Sequence, residues 1–404
     1  MQFKNILPAA LAVAAVSAQN DTSMMNLTSL IASNSNLTGL ATLLKSYPNA
    51  ADSLANATNV TLFAPSNQAL QAVQSVLGSA NGNTSGLVTA LLDYHTLKGI
   101  FYASNISSTP QFPHTMLNNT LYSNVTGGQV VECRLEGSTA EIISGLKQTA
   151  NVTQANLNFT GGVVHVIDSL LQIPGNFSSV AQNANLTALL GAVNATNLTS
   201  TLDSASDITI FAPSNSAFQN IASAVGNLTA TQAAAILEYH VINGTIAYSS
   251  SLTNTTIKTL GGGNVTVTIV NGTVFINSAR VVNPDILMSG GVIHIIDSVL
   301  NPINNATGNT TDSAPVTAFS GASSGTAVPY TSGVSTPTSS ISNLVASTTA
   351  VAASYTSVVP AGGSAAASSG AAGGSSSSSA GAGMQTGAVG AAALFGGAAF
   401  LANI

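Results

Sequence analysis

The stretch Gly161-Gly162-Val163-Val164-His165-Val166-Ile167-Asp168 returns later in the chain as Gly290-Gly291-Val292-Ile293-His294-Ile295-Ile296-Asp297. In each copy a Gly-Gly pair leads into a short apolar run, which is typical of a buried strand. Each run carries one histidine and ends at one aspartate. Two such stretches in one chain indicate a duplicated domain.

Two further motifs precede each Gly-Gly strand. The first is a predicted strand, at residues 60–64 and 208–212, followed by Pro-Ser-Asn and a predicted helix. Ser66 and Ser214 are expected to be the N-caps of these helices, because a serine hydroxyl accepts a bond from a first-turn N–H. Gly78 and Gly226 each follow twelve residues later and are expected to be left-handed C-caps.

The second motif is a Tyr-His pair, Tyr94-His95 and Tyr239-His240, at the end of a further predicted helix. The apolar spacing of residues 26–46 predicts two short helices, broken near residues 33–35 and ended by Pro48. After the Tyr-His pairs the sequence becomes rich in strand-forming residues. The predicted strands span 129–135 and 141–143 in the first copy, and 264–270 and 273–277 in the second, where Asn271-Gly272 predicts a hairpin turn.

The copies differ in length. The Tyr-His pairs are 145 residues apart, but the Gly-Gly pairs are only 129 apart. The first copy therefore contains 16 additional residues within 98–160, which are expected to lengthen loops on one face.

The composition limits the possible functions. Charged residues make up 5% of the 404 residues, the net charge is −6, and no Lys or Arg follows Arg280. A nucleic-acid-binding protein needs basic clusters to neutralise phosphates, and none is present. About twenty Asn-x-Ser/Thr acceptor triplets predict N-glycosylation, which would make the surface polar without charge. Six candidate sites represent this pattern: Asn26, Asn56, Asn105, Asn151, Asn227 and Asn264.

The two ends of the chain carry predicted processing signals. Residues 1–18 are typical of a secretory signal peptide, although a retained membrane anchor is the alternative. Residues 303–386 are rich in Ser, Thr, Ala and Gly and are predicted to be a disordered, O-glycosylated stalk. Residues 387–404 are an apolar tail that indicates a lipid-anchor attachment signal, with Gly374 as the candidate attachment residue. A short transmembrane span is the alternative for this tail.

Cys133 is the single cysteine, so the chain can form no intramolecular disulfide. A lone thiol in a secreted protein is either buried or able to form dimers. Its apolar, strand-like surroundings favour burial.

The three motifs, found twice in the same order, resemble those of the fasciclin domain. The resemblance covers residues 20–172 and 180–302. It implies an α+β fold of two tandem domains, each a twisted β-sheet wedge with helices packed to one side. Tyr-His and Asp-Ile motifs are proposed as integrin-binding in animal members. This makes Tyr94, His95, Tyr239, His240, Asp285 and Ile286 a possible interaction motif, although the corresponding Asn156-Leu157 of the first copy lacks the aspartate.

Enzymatic function is not indicated. Each copy offers only two landmark histidines and no nearby cysteine, whereas a zinc site needs three or four converging ligands. Sugar hydrolysis needs two carboxylates about 5–10 Å apart, and acidic residues are too sparse to predict such a pair. We therefore expect each histidine to bond a backbone carbonyl. Asp168 and Asp297 are expected to accept bonds from backbone N–H groups where their strands end.

These observations predict a non-catalytic cell-surface glycoprotein without a cofactor. Its expected partners are cell-surface, cell-wall or matrix proteins or polysaccharides. Its expected location is the plasma membrane or wall, reached through the secretory pathway and held by the C-terminal lipid anchor. A scaffold in an internal compartment such as the vacuole is the first alternative, and a wall-modifying hydrolase is the second.

Overall fold

The computed structural model describes residues 24–71, 84–304 and 318–337. The predicted signal peptide, Gly78, Gly374 and the apolar tail 387–404 lie outside these residues. No helix among the described residues is long and apolar enough to cross a membrane.

The first domain begins with helices and continues into a sheet. Its elements are α1 Leu27–Ser33, α2 Thr38–Ser46, α3 Pro48–Ala55, β1 Val60–Pro65, α4 Thr84–Tyr94, β2 Thr96–Lys98, β3 Glu132–Glu136, β4 Thr139–Ile143, β5 Thr149–Phe159 and β6 Gly162–Ile167. The break at residues 33–35 and the end of α2 before Pro48 are confirmed. Pro48 also starts α3, a helix that the apolar spacing did not predict.

The second domain repeats this order. Its elements are α5 Phe177–Asn183, α6 Thr187–Ala195, α7 Thr199–Ser204, β7 Ile208–Pro213, α8 Asn215–Asn220, α9 Ala222–Val225, α10 Ala230–Tyr239, β8 Val241–Ile242, β9 Thr255–Lys258, β10 Asn264–Val270, β11 Thr273–Ile276, β12 Ala279–Met288 and β13 Gly291–Ile296. Because α5 starts at Phe177, which is buried in the second-domain core, the predicted boundary at residue 180 cuts through a helix.

Each domain contains one sheet with a single parallel pair, which lies one strand in from an edge. The strand orders are β2-β1-β6-β5-β4-β3 and β8-β7-β13-β12-β11-β10-β9. The Gly-Gly strands β6 and β13 pair in parallel with β1 and β7, and the other neighbours are antiparallel. Joining two parallel neighbours requires a long crossover. The other strands of each sheet therefore lie between β1 and β6 or between β7 and β13, whereas α1–α3 and α5–α7 come before the parallel pair.

The glycines are required where the parallel pair begins. A Cβ at Gly162 would overlap the carbonyl oxygen of Val60, and a Cβ at Gly291 would overlap that of Ile208. A Cβ at Gly161 or Gly290 would also overlap a carbonyl oxygen, that of Ala57 or Ala205. Only a residue without a side chain allows the backbones to approach this closely.

Most of the predicted caps and turns are confirmed. The hydroxyls of Ser66 and Ser214 accept bonds from Ala69 N and Ala217 N at 3.3 and 3.2 Å. Asn271 and Gly272 have φ values of 51° and 79°, as a tight hairpin turn requires. The left-handed cap at Gly226 is wrong: its φ is −63°. The chain continues in right-handed turns towards Thr229, which caps α10.

The residues between β2 and β3 reach across to the second domain. Phe112 stacks on Tyr248 with ring centroids 4.2 Å apart. The N–H of Asn124 donates to Ser289 O at 2.6 Å, and that of Thr126 donates to the Asp207 carboxylate at 2.8 Å. The lengthened loop predicted for the first copy therefore contributes directly to an interface between the domains.

Part of the predicted stalk is folded. We call residues 318–337 the strap. Phe319, Ala322, Val328, Tyr330 and Val334 of the strap pack against the second-domain core. The prediction of disorder throughout 303–386 is therefore wrong for this segment. Isolated apolar residues in a polar sequence can be ordered by a groove elsewhere in the chain, which composition does not show.

We predict that Gly162→Ala lowers the free energy of unfolding by about 2–3 kcal/mol, because the added methyl must displace a strand carbonyl. Urea denaturation measures the change. Gly86→Ala is the control, because Gly86 is an exposed residue of α4 whose Cβ would meet no atom within 4 Å. That change is expected to stabilise by about 0.5–1 kcal/mol. Unchanged unfolding of Gly162→Ala would contradict the role given to this glycine.

Candidate functional site

The tyrosine of each Tyr-His pair joins a helix to the sheet. Tyr94 ends α4, and its hydroxyl donates to Val130 O at 3.1 Å, just before β3. Tyr239 ends α10, and its hydroxyl donates to Asn264 O at 2.6 Å, where β10 begins. Both side chains are fully buried. The tyrosines therefore hold helix and strand together.

The histidine of each pair bridges two backbone segments. His95 Nδ1 lies 2.7 Å from Leu91 O, and its Nε2 accepts from Leu171 N at 2.9 Å. His240 makes the same contacts with Ile236 O and Leu300 N, at 2.7 and 2.9 Å. One nitrogen donates and the other accepts, which is the pattern of a neutral imidazole. Burial lowers the pKa of both histidines to about 4.

The histidines of the Gly-Gly strands make an equivalent bridge. His165 Nε2 lies 2.7 Å from Phe101 O, and its Nδ1 accepts from Asn156 N at 3.3 Å. His294 contacts Ala247 O at 2.8 Å and Asp285 N at 3.3 Å. Burial lowers the pKa of both rings. The expectation that each landmark histidine bonds a backbone carbonyl is confirmed.

The strand-end aspartates also bond the backbone. Asp168 Oδ1 accepts from Asn151 N, and Asp297 Oδ1 accepts from Arg280 N, both at 2.8 Å. Arg280 Nε additionally lies 3.4 Å from Asp297 Oδ2. Both carboxylates accept a backbone N–H, and their predicted backbone role is confirmed.

Asp285 has a structural role that the first domain gives to an asparagine. Asp285 has a φ of 58°, and its Oδ1 accepts from Ser249 N at 2.8 Å. Asn156 has a φ of 60°, and its Oδ1 accepts from Ala103 N at 3.0 Å. Each residue also donates its own N–H to the histidine of the neighbouring Gly-Gly strand. Asp285 and Asn156 therefore make equivalent bonds at the irregularity in β12 and in β5.

The proposed interaction motif is not on the surface. All six of its residues are buried, none with more than 2% of its surface exposed: Tyr94, His95, Tyr239, His240, Asp285 and Ile286. The expectation that they contact a partner is therefore wrong for this structure. Their side chains bond the backbone or fill the core, which the sequence motif alone does not reveal.

Five of the six candidate glycosylation sites are exposed: Asn26, Asn56, Asn105, Asn227 and Asn264. Asn151 differs in its exposure, because it is half-buried and its Nδ2 donates to Asp168 Oδ2 at 2.8 Å. The Nδ2 atoms of exposed Asn56 and Asn227 also donate, but to the backbone carbonyls of Asp52 and Ser223. Glycosylation of all six stays a prediction.

Cys133 is buried, as expected, and burial raises the pKa of its thiol. In the part of the chain that the structure describes, no three His, Cys, Asp or Glu side chains are grouped to hold a metal ion. Glu132 is also buried and pairs with Lys147 at 3.1 Å. The pKa of the Glu132 carboxyl is raised, because the effect of burial exceeds the opposite effect of the Lys147 ammonium.

Comparison with known proteins now adds to this geometry. A sequence profile of the fasciclin domain matches residues 35–174 and 184–302. The chain belongs to the fasciclin family. The two matches contain the two sheets, and the predicted α+β fold of two tandem fasciclin domains is confirmed.

Similar proteins occur in fungi and in animals. A fasciclin-like arabinogalactan protein of Arthroderma benhamiae is 35% identical over 313 residues, covering 76% of this chain and 73% of the relative. The fasciclin-like arabinogalactan protein elcF of Phaeosphaeria nodorum is 28% identical over 281 residues, covering 69% and 89%. Human periostin is 27% identical over 253 residues, covering 60% of this chain and 28% of periostin.

One solved structure in the comparison is a FAS1 domain pair from the insect cell adhesion molecule Fasciclin I. It matches 67% of this chain and 98% of its own, with 21% sequence identity and a TM-score of 0.33. The family assignment rests on the profile and the sequence relatives.

Sequence reasoning missed the residues that join the two fasciclin domains. Phe112, Thr126, Asp207 and Tyr248 belong to no paired motif. The length difference between the two copies indicated which region of the first copy contains the longer loop. It did not indicate which surface that loop contacts.

We predict that acid weakens the fold through its buried histidines. Unfolded His95 and His240 titrate near pH 6.5, but their folded pKa values are about 4. The unfolded chain therefore binds more protons between these values. The stabilisation is complete above pH 6.5 and is lost as the pH falls towards 4, by about 3 kcal/mol for each histidine.

Urea denaturation between pH 7 and 4.5 measures this loss. Asp93 has a pKa raised to about 6 by burial and opposes the histidines in this window, so the series is best measured with Asp93→Asn throughout. Adding His95→Asn and His240→Asn should lower stability at pH 7 but flatten its pH dependence. An equally steep dependence without both histidines would show that other groups cause it.

We further predict that Asp285→Asn changes the free energy of unfolding by less than about 1 kcal/mol, since Asn156 makes the equivalent bonds. Asp285→Ala should cost about 1–3 kcal/mol, because the Ser249 N–H loses its partner. Thermal unfolding of the two variants gives the comparison. Equal destabilisation by both would mean that the charge of Asp285, rather than its oxygen, matters.

Proposed function

We propose that this protein is a non-catalytic cell-surface glycoprotein that mediates adhesion or contact with the cell wall or matrix. Its predicted C-terminal lipid anchor, with Gly374 as the candidate attachment residue, would hold it at the plasma membrane or wall. The two fasciclin domains and the fungal fasciclin-like relatives support an adhesion or wall role. The chemistry-bearing side chains of the paired motifs support a role without catalysis, because they are committed to the backbone.

The observation that best supports adhesion is a surface that occurs in both domains. In the second domain, the end where β7 begins is covered by the first domain: Thr126 bonds Asp207, and Asn124 bonds Ser289. This end of a fasciclin domain is therefore a protein-contact surface in this molecule.

At the same end of the first domain the residues that correspond to Asp207 and Ser289, Asn59 and Thr160, are exposed. Gly99 N donates to Asn59 O, and Thr160 N donates to Met25 O, which places these segments together at the start of β1. Met24, Met25 and Ile100 are 60%, 49% and 41% exposed there. We name Met24, Met25 and Ile100 the first-domain end. Neighbouring apolar side chains in this position fit an interaction site.

A bead assay with the glycosylated full chain tests this proposal. Beads coated with the protein should attach to cells or to wall polysaccharide above a glycosylated control protein. Met25→Ser combined with Ile100→Ser should reduce attachment at least fivefold. Val282→Ser is the matched control, because Val282 is 48% exposed on β12 of the second domain, and it should have no effect.

The outcomes separate two parts of the proposal. No attachment by the wild-type protein to either surface counts against adhesion itself. Equal attachment by the double variant and by the control would show that the contact lies elsewhere on the protein and not at the first-domain end.

A further inference from the structure

The strap is held against the second domain by backbone bonds as well as by apolar packing. Gly325 N donates to Gln219 O at 3.0 Å, and Gln219 Nε2 donates back to Gly325 O at 3.1 Å. Ser223 N donates to Ser323 O at 3.2 Å, and Ser323 N donates to Ser223 Oγ at 2.8 Å. Two reciprocal pairs fix the register of the strap along α8 and α9.

Apolar side chains of the strap enter a groove between helices. The groove is lined by Ala192 of α6, Phe218 of α8, Val225 of α9 and Leu237 of α10. Tyr330 meets Phe218 edge to face, with ring centroids 6.3 Å apart. With the strap in place, the remaining cavity is about 20 Å³, which has room for about one water molecule. Phe319 and Tyr330 of the strap therefore fill this part of the groove.

Gly191 shows that the groove is built to receive a backbone. It lies inside α6, where glycine costs about 1 kcal/mol relative to alanine. A Cβ at this position would overlap the carbonyl oxygen of Tyr330. The corresponding residue of α2 in the first domain is Thr42, which is exposed. The glycine thus occurs in the helix that the strap approaches, and the equivalent helix carries a larger residue.

The strap begins close to where the second domain ends, and it belongs to neither sheet. Residues 305–317 separate it from the second domain, yet Ala318 O accepts bonds from Asn301 Nδ2 at 3.2 Å and Asn304 Nδ2 at 3.0 Å. The connecting segment thus starts and ends at neighbouring points. None of the described strap residues belongs to either sheet, so its release would leave every strand pair intact.

We propose that the groove between α6, α8, α9 and α10 is a peptide-binding site and that the strap is its tethered ligand. The site takes an extended segment of small residues that carries an aromatic anchor, as Tyr330 does here. Backbone bonds to Gln219 and Ser223 give the register, and Gly191 admits the backbone beside the anchor. This site is independent of the adhesive role proposed above.

A competition experiment with the full chain tests the site. The probe is a fluorescent synthetic peptide with the sequence of residues 318–337, and binding is followed by anisotropy. Tyr330→Ala weakens the resident strap but leaves the groove unchanged, so this variant should bind the peptide at least tenfold more tightly than the wild-type protein. A peptide carrying the same Tyr330→Ala change should not bind.

A second substitution, in the groove itself, distinguishes specific peptide binding from nonspecific binding. Gly191→Ala, added to Tyr330→Ala, should abolish peptide binding because the methyl occupies the place of the strap backbone. Gly226→Ala in the same background is the matched control, since its φ is −63° and its Cβ would lie in ordinary van der Waals contact, 3.7 Å from Ala222 O. It should leave binding unchanged. Thermal unfolding confirms that each variant is folded.

The proposal is overturned if the Tyr330→Ala protein does not bind the peptide. Equal binding by the variant with Gly191→Ala would also overturn it. If the wild-type protein is instead a dimer that dissociates on Tyr330→Ala, the strap occupies the groove of a second copy, and the assignment as a tethered ligand of its own domain is wrong.

Discussion

The close approach of a glycine pair to a neighbouring strand is the constraint on which each domain depends. Gly162 and Gly291 lie where a single methyl group would overlap the first carbonyl of β1 or β7. Their approach sets the register of the parallel pair, and this register places His165 beside Phe63 and His294 beside Phe211. His165 and His294 can then bridge the loop after β2 or β8 to the irregularity within β5 or β12. The second histidine of each domain, His95 or His240, follows α4 or α10 and bonds the segment after the Gly-Gly strand.

This arrangement explains why residues with catalytic chemistry serve the fold. An imidazole that both donates and accepts satisfies two buried backbone groups that belong to different segments. Burial holds it in the neutral form, so it adds no charge to the core. The proposed functions therefore rest on surfaces: the end where β1 or β7 begins, and the helical groove of the second domain. In the second domain both surfaces are occupied by other parts of the same chain, whereas the first-domain end remains exposed among the described residues.

Local patterns were predicted well because their causes are local. The serine caps, the Asn271-Gly272 turn and the burial of Cys133 follow from the preferences of single residues and their immediate neighbours. The interaction motif failed because accessibility depends on the whole fold: Tyr94 and His95 end a helix that the sheet covers. Asp285 failed for a related reason. The Asp-Ile motif indicated that Asp285 contacts a partner. In the structure Asp285 instead makes the same backbone bonds that Asn156 makes in the first domain.

The sequence by itself determined that the chain contains two copies of one fasciclin domain, because three motifs in the same order require the same local geometry twice. It also determined the surplus length of the first copy. Only the tertiary structure decided which surface the additional residues contact, which ends of the domains meet, and that residues 318–337 are folded. These outcomes depend on surfaces formed by residues far apart in the sequence. Gly191 and Tyr330 illustrate the reason, since neither residue forms a recognisable motif until the fold brings them into contact.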